Sequence, residues 1–249
     1  MNDLYITILA AGNGKRMQSV IPKVLHQIKG EIMIVRLIKQ ALELNPAKIF
    51  IVVGKYKNLI CEEIQKYITN DRIIFVEQKE PLGTGDAVKS TLSYFDENCI
   101  MNNIILNGDV PLLQATTIRE IYDHYVQSQS NLLITAIHLN NPSGNGRIVI
   151  DNSGLFKEII EEKDCCSNQK MINLVNVGIY IVRSDVLKEC IPKIKNINAS
   201  GEYYLTDLVK IYDDTTKQKV GLFILNSEKE KEIFNVNTIE QLQYLENNF

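Results

Sequence analysis

From Leu4 to Val126 the chain alternates short β-rich apolar runs with longer amphipathic stretches, and this alternation limits the fold more than any other feature. Strand-like runs fall at Leu4–Leu9, Lys48–Val53 (KIFIVV), Arg72–Val76 (RIIFV) and Asn103–Leu106 (NIIL). Between them Met33–Leu44, Leu59–Ile68, Gly85–Phe95 and Thr116–Val126 carry apolar residues at helical spacing, with Thr116 or Thr117 near the cap of the last. Strands joined through helices predict an α/β fold: a mostly parallel sheet covered on both faces. The pattern changes near Asn131. Leu132–Leu139, Arg147–Ile150, Phe156–Ile160 and Val175–Val182 read as strands with short connections, so this part is expected to be partly antiparallel, with a hairpin turn at Ser153-Gly154. Ser184–Cys190 and Tyr203–Asp213 read as helices, Val220–Leu225 as a strand, and Thr238–Asn247 as a last helix capped by Thr238.

Composition narrows the functional classes. The chain has 249 residues, 45% hydrophobic and 23% charged, with a net charge of -3, so nothing draws it generally to nucleic acid or an anionic membrane. Any anion site must be local. Five cysteines without a CxxC argue against a disulfide framework or zinc knuckle, and the adjacent Cys165-Cys166 pair reads as a loop feature. His26, His124 and His138 are scattered without metal-ligand spacing. No signal peptide and no apolar run near 18 residues is recognisable, which predicts a cytoplasmic protein. There is no internal repeat, and in particular no hexapeptide repeat of the left-handed β-helix kind.

In open α/β sheets, ligands bind beyond the carboxyl ends of the strands. Three loops of this sequence fall there: Ala10–Lys23, the QKEPLGTGDA stretch Gln78–Ala87, and Asn107-Gly108-Asp109-Val110-Pro111. The first holds Gly12, Gly14, Lys15, Arg16 and Lys23. It is not a Walker A loop, because Arg16 follows Gly14-Lys15 where Ser or Thr is needed. Nor is it the dinucleotide fingerprint, because Met17 stands at the third glycine. Its glycines suit an anion nest, Arg16 a forked charge-assisted contact, and Lys23, stiffened by Pro22, a point charge. Gln78 carries donor and acceptor on one amide, as reading a base edge requires, and Gly83 permits close backbone approach. Asp109, where a buried strand meets solvent, is placed to hold Mg2+ beside a polyphosphate.

These residues resemble the signature of sugar-1-phosphate nucleotidylyltransferases. The run Leu9-Ala10-Ala11-Gly12 through Arg16-Met17, then PKVLH at Pro22–His26, LGTG at Leu82–Gly85 and GDVP at Gly108–Pro111, is most similar to the uridylyltransferase domain of bacterial N-acetylglucosamine-1-phosphate uridylyltransferases. Later segments agree: Pro142–Ile148 with that family's P-x-G-x-G-R-I turn, Glu161–Asp164 with its E-x-K-D, Asn176-Val177-Gly178 with its N-x-G, Gly201–Asp207 with its GEYYLTD, and Asn235-Val236-Asn237 with a metal-binding stretch. The resemblance spans Leu9 to Asn237.

It implies a Rossmann-like nucleotidyltransferase fold, with a nucleotide-binding part over about 1–130, a smaller sugar-binding part over about 131–237, and a C-terminal helix at 238–249. It implies transfer of a uridylyl group from UTP to N-acetylglucosamine-1-phosphate, giving UDP-N-acetylglucosamine and pyrophosphate, with Mg2+ as cofactor. Arg16, Lys23 and Asp109 become the catalytic residues. Leu9, Ala11, Gly12, Gly14, Arg16, Lys23, Gln78, Gly83 and Thr84 become nucleotide ligands. Thr84, Asn107, Gly146, Glu161 and Asn176 become sugar ligands, Asp109 and Asn237 metal ligands, and Lys163 a neighbour of the sugar phosphate. Asn107 departs from the family, which usually has an aromatic residue there. The β-helix acetyltransferase domain of bifunctional relatives is expected to be absent, and a monomer or homodimer is expected. Competing readings are transfer to another sugar phosphate such as glucose-1-phosphate, use of another NTP, or a catalytically silent sugar-nucleotide-binding regulator on the same fold.

Overall fold

A computed structural model describes residues 3–151 and 156–248. In chain order its elements are β1 (Leu4–Leu9), β2 (Gln27–Ile28), β3 (Glu31–Ile32), α1 (Met33–Leu42), β4 (Lys48–Val53), α2 (Lys57–Gln65), β5 (Ile73–Glu77), α3 (Thr84–Lys89), β6 (Asn102–Asn107), α4 (Ala115–Ser128), β7 (Leu132–His138), β8 (Arg147–Ile150), β9 (Phe156–Ile160), α5 (Ser167–Lys170), β10 (Leu174–Arg183), α6 (Ser184–Cys190), α7 (Asp207–Thr216), β11 (Gly221–Leu225) and α8 (Ile239–Asn248). Short 3-10 turns lie between several of them, including Lys15–Met17 and Lys23–Leu25 in the first loop.

The main sheet runs in the order β11-β7-β10-β6-β1-β4-β5, with β8 and β9 attached beside β10. Along that path neighbours pair in parallel except at β10, which runs antiparallel to both β6 and β7, and β8 runs antiparallel to both β10 and β9. The connection from β6 through α4 to β7 therefore leaves a gap one strand wide, and β10 fills it. The sheet is mixed but mostly parallel, as expected. Its two faces carry separate cores, and β1 shows why: Leu4, Ile6 and Ile8 point into one cluster with α1, while Tyr5 points into the other beside Phe50. α1 buries Ile34, Leu37, Ile38 and Ala41 on one stripe. Thr7 and Asn103, the polar residues inside β1 and β6, meet each other: the Thr7 hydroxyl donates to Asn103 Oδ1 at 3.1 Å.

Several expected boundaries differ by a few residues, and three of these differences have a visible cause. The helix read over Gly85–Phe95 stops at Lys89, because the Ser90 and Thr91 hydroxyls turn back onto the carbonyls of Asp86 and Val88, and a 3-10 turn follows at Leu92–Tyr94. α4 begins after Gln114 rather than being capped by Thr116 or Thr117. Its first amides are met from other elements, by Glu232 and Gln40, while the Thr117 hydroxyl donates to Glu232. The helix read from Tyr203 starts only at Asp207, since the residues before it hydrogen-bond to the loop after β5. Thr238 caps α8 as expected, its hydroxyl accepting from the Gln241 amide at 3.2 Å. The β2–β3 hairpin and α5 were not foreseen. The expected turn at Ser153-Gly154 lies outside the described residues.

Candidate active site

β1, β4, β5 and β6 run parallel, and β7 and β11 share their direction, so all six end on one rim. β10 begins there. One cleft opens at this rim, and every residue singled out from the sequence as a ligand lines it: Leu9, Ala11, Gly12, Gly14, Arg16, Lys23, Gln78, Gly83, Thr84, Asn107, Asp109, Gly146, Glu161, Asn176 and Asn237. Lys163 does not; its ammonium donates to the Ser200 hydroxyl at 3.0 Å.

The first loop is pinned at both ends of its cationic run. Gly14 takes a left-handed conformation, and Met17, only 1% exposed, anchors the turn in the core. Pro22 then opens the 3-10 turn that presents Lys23. The Lys23 ammonium lies 2.5 Å from Asp109 Oδ2 and donates to Asn237 Oδ1 at 3.0 Å. Arg16 donates to the same Asn237 oxygen at 3.0 Å. Three segments up to 221 residues apart thus meet at one point. The Val236 amide donates to the Asp109 carbonyl at 2.9 Å, and Gln241 of α8 accepts from the Asn237 amide at 2.7 Å. Sequence reasoning missed Gln241, whose position carries no local signal.

On the other side of the cleft, the LGTG loop is zipped to the GEYYLTD stretch. The Tyr203 amide donates to the Leu82 carbonyl and the Gly85 amide to the Tyr203 carbonyl, both at 2.8 Å, and Thr84 Oγ1 accepts from the Leu205 amide at 3.0 Å. Gly83 sits at φ 122°, and a Cβ there would lie 2.6 Å from the Tyr203 carbonyl oxygen, so the close seam requires glycine.

Deeper in, β10 carries a bulge between Asn176 and Tyr180. Within it the Asn176 amide group donates to the Tyr180 hydroxyl at 2.7 Å and its Oδ1 accepts from the Gly178 amide at 3.1 Å. Burial holds the Tyr180 phenol well above its usual range, so it keeps its proton. Glu161 is enclosed: its Oε1 accepts from the Thr206 hydroxyl at 3.0 Å. Burial raises its pKa; the Thr206 bond opposes that, while the nearby carboxylates of Asp164, Asp207 and Glu202 add to it. Arg147, buried to 1% exposure, ties this wall together by pairing with Glu162 at 2.6 Å and donating to the Asn145 carbonyl. The acidic run Glu158–Asp164, which as sequence alone is most often an exposed face, therefore points one carboxylate inward.

A cleft with clustered cations and an acid at one end, and enclosed polar side chains at the other, at the carboxyl rim of a doubly wound sheet has the layout of a nucleotidyltransferase site. The family model for the MobA-like NTP transferase domain matches residues 6–158, and the chain belongs to that family. It is 58% identical over 243 residues to a probable UDP-N-acetylglucosamine pyrophosphorylase of Acanthamoeba polyphaga mimivirus, covering 98% of this chain and 95% of that one. It is 37% identical over 246 residues to the bifunctional protein GlmU of Trichodesmium erythraeum, covering 95% of this chain; the match spans 50% of that relative's length. The fold agrees with a UDP-glucose pyrophosphorylase solved with UDP-glucose (TM-score 0.77, 16% identity, 98% and 97% of the two chains) and with HddC of Yersinia pseudotuberculosis (TM-score 0.68, 19% identity, 98% and 99%). Among the described residues no helix is long and apolar enough to cross a membrane.

Proposed function

We propose that the chain transfers a uridylyl group from UTP to N-acetylglucosamine-1-phosphate, releasing pyrophosphate and forming UDP-N-acetylglucosamine. The carrying observation is the convergence of Arg16, Lys23, Asp109 and Asn237 at the mouth of a cleft whose inner wall is Glu161, Asn176 and Gly146. The mimiviral relative is named for UDP-N-acetylglucosamine, the product of this reaction.

The chemistry asks for little proton transfer. A phosphate monoester with a second pKa near 6 is largely dianionic at neutral pH and needs no general base. One of its oxygens attacks the α-phosphorus of UTP in line, forming the new P–O bond as the bond to the β-phosphate bridge breaks, and pyrophosphate departs with that electron pair. The obstacle is repulsion between two polyanions, so the protein's task is alignment and charge compensation. Arg16 and Lys23 contact the triphosphate in this reading. Glu161 and Asn176 take the sugar hydroxyls and acetamide, and Gly146 leaves room for the backbone to meet the acetamide.

Asp109 and Asn237 suit a divalent cation. Among the described residues Asp109 Oδ1 is buried without a hydrogen-bond partner, while Asp109 Oδ2 and Asn237 Oδ1 already converge on one positive charge, the Lys23 ammonium. Two protein oxygens, completed by phosphate oxygens and water, are the donor set that Mg2+ favours. Bound there, the ion neutralises charge on the triphosphate.

Pyrophosphate release from UTP and N-acetylglucosamine-1-phosphate, compared with glucose-1-phosphate, tests the assignment. Arg16→Ala and Asp109→Ala are each expected to lower the rate by about 10²–10³ with unchanged circular dichroism. Wild-type rates in either variant, or faster turnover of glucose-1-phosphate, would refute it.

A further inference from the structure

The second rim loop holds a contact that bears on which base the cleft accepts. Gln78 is 5% exposed and lines the cleft. Its backbone amide is held by the Val53 carbonyl at 2.8 Å, at the end of the neighbouring strand. Its side-chain nitrogen has two hydrogens, and both are committed. Nε2 donates to the Gly83 carbonyl at 3.0 Å and to Asp86 Oδ2 at 2.8 Å. Rotating the amide by half a turn would set Oε1 against a carbonyl and a carboxylate, two acceptors with nothing to donate, so the orientation follows from chemistry. The valence left over is the lone-pair side of Oε1, which no described hydrogen bond reaches.

We infer that Asp86 is a positioning residue that locks the Gln78 amide with its oxygen toward the nucleobase, so that the cleft selects a base with an N–H at its pairing edge and turns away one with a bare ring nitrogen. Uracil and thymine present N3–H to such an acceptor. Cytosine presents a lone pair at N3, which meets the Gln78 oxygen without a proton between them. A freely rotating glutamine could serve either base by flipping; the carboxylate, acting with the Gly83 carbonyl and making the shorter, charged contact, removes that freedom. Asp86 also stands in the first turn of α3, where an acidic side chain complements the helix N-terminus. That structural role affects stability but not the choice between two pyrimidines. The inference rests on the nucleotidyltransferase reading above and deepens it.

The test is the ratio of kcat/KM for UTP over CTP, followed by pyrophosphate release, in wild type, Asp86→Ala and Asp86→Asn. The Asp86→Asn side chain can still offer its amide oxygen to the Gln78 nitrogen, and this variant is expected to keep the wild-type ratio. Asp86→Ala is expected to lower it by about tenfold or more, chiefly through gain with CTP, the scale at which one polar contact to a base discriminates. If Asp86→Ala does not fold, Asp86→Ser, whose hydroxyl is too short to reach the Gln78 amide, takes its place. Wild type with N3-methyl-UTP tests the Gln78 end without any substitution: turnover is expected to fall by about a hundredfold or more relative to UTP. An unchanged UTP/CTP ratio in Asp86→Ala, or full activity with N3-methyl-UTP, overturns the inference while leaving the activity in place. If no nucleoside triphosphate yields pyrophosphate with wild type, the activity itself fails.

Discussion

At the scale of single residues, Lys23 is the most consequential side chain. In the free chain its ammonium occupies the point between Asp109 and Asn237 that a divalent cation would share. The two cations compete for the same oxygens, and a triphosphate offers Lys23 other partners. Lys23→Met therefore removes the internal competitor. Manganese binding to the nucleotide-free chain, read by electron paramagnetic resonance, is expected to tighten by about tenfold or more, the scale of losing one close charge pair in a partly screened site. Turnover is expected to fall by about a hundredfold as its contact to the triphosphate is lost. Weaker manganese binding in Lys23→Met would show that Lys23 supports the cation site rather than filling it. Asp109 and Asn237 were paired as candidate cation ligands from sequence through resemblance, but their sharing of Lys23 was not legible, because the three lie on different loops.

At the scale of elements, the bulge in β10 shows how a strand becomes a wall of the cleft. Gly178 has φ 79°, and a Cβ there would stand 2.4 Å from Asn107 Nδ2. The bulge turns Asn176 toward the cleft and lets Asn107 approach from β6. Gly178→Ala is expected to destabilise the chain by about 1–3 kcal/mol, the cost of holding a non-glycine residue in this region, and to raise KM for the sugar phosphate more than KM for UTP. Denaturant unfolding and initial-rate kinetics check the two parts; an equal rise in both KM values would mean that the bulge does not act on the sugar end. The sequence showed the strand itself, since a run of Val, Ile and Tyr residues reads as β whatever its partners. The bulge escaped, because N-x-G marks one only when a neighbouring strand is known.

At the scale of the whole molecule, α8 reaches back across the chain to brace the loop that carries Asn237. Leu245 is 1% exposed and packs in a small cluster with Ile28, Met33 and Val236, while Glu246 accepts from the Lys29 amide at 2.8 Å. Gln241 of the same helix holds the Asn237 backbone. Leu245→Ala is expected to cost about 2–5 kcal/mol by emptying this cluster. It should also weaken manganese binding in the fraction that stays folded, by loosening Asn237. Tight metal binding in a destabilised variant would uncouple the helix from the site.

What the sequence determined by itself were properties of short range: which segments become strands or helices, which loops bear glycines and cations, and which motifs place those loops at the carboxyl ends of parallel strands. Strand periodicity and turn chemistry are set by neighbours a few residues away, so β1, β4, β8, β9 and α6 matched their expected limits. Tertiary structure alone decided the insertion of β10 against the direction of its neighbours, the start of α7 after Thr206, and the pairings of Lys23 with Asp109 and Glu161 with Thr206. The first two depend on which strand edge or loop stays unpaired once the rest has packed. The side-chain pairings depend on distances between loops that only the assembled sheet fixes, and no local pattern encodes them.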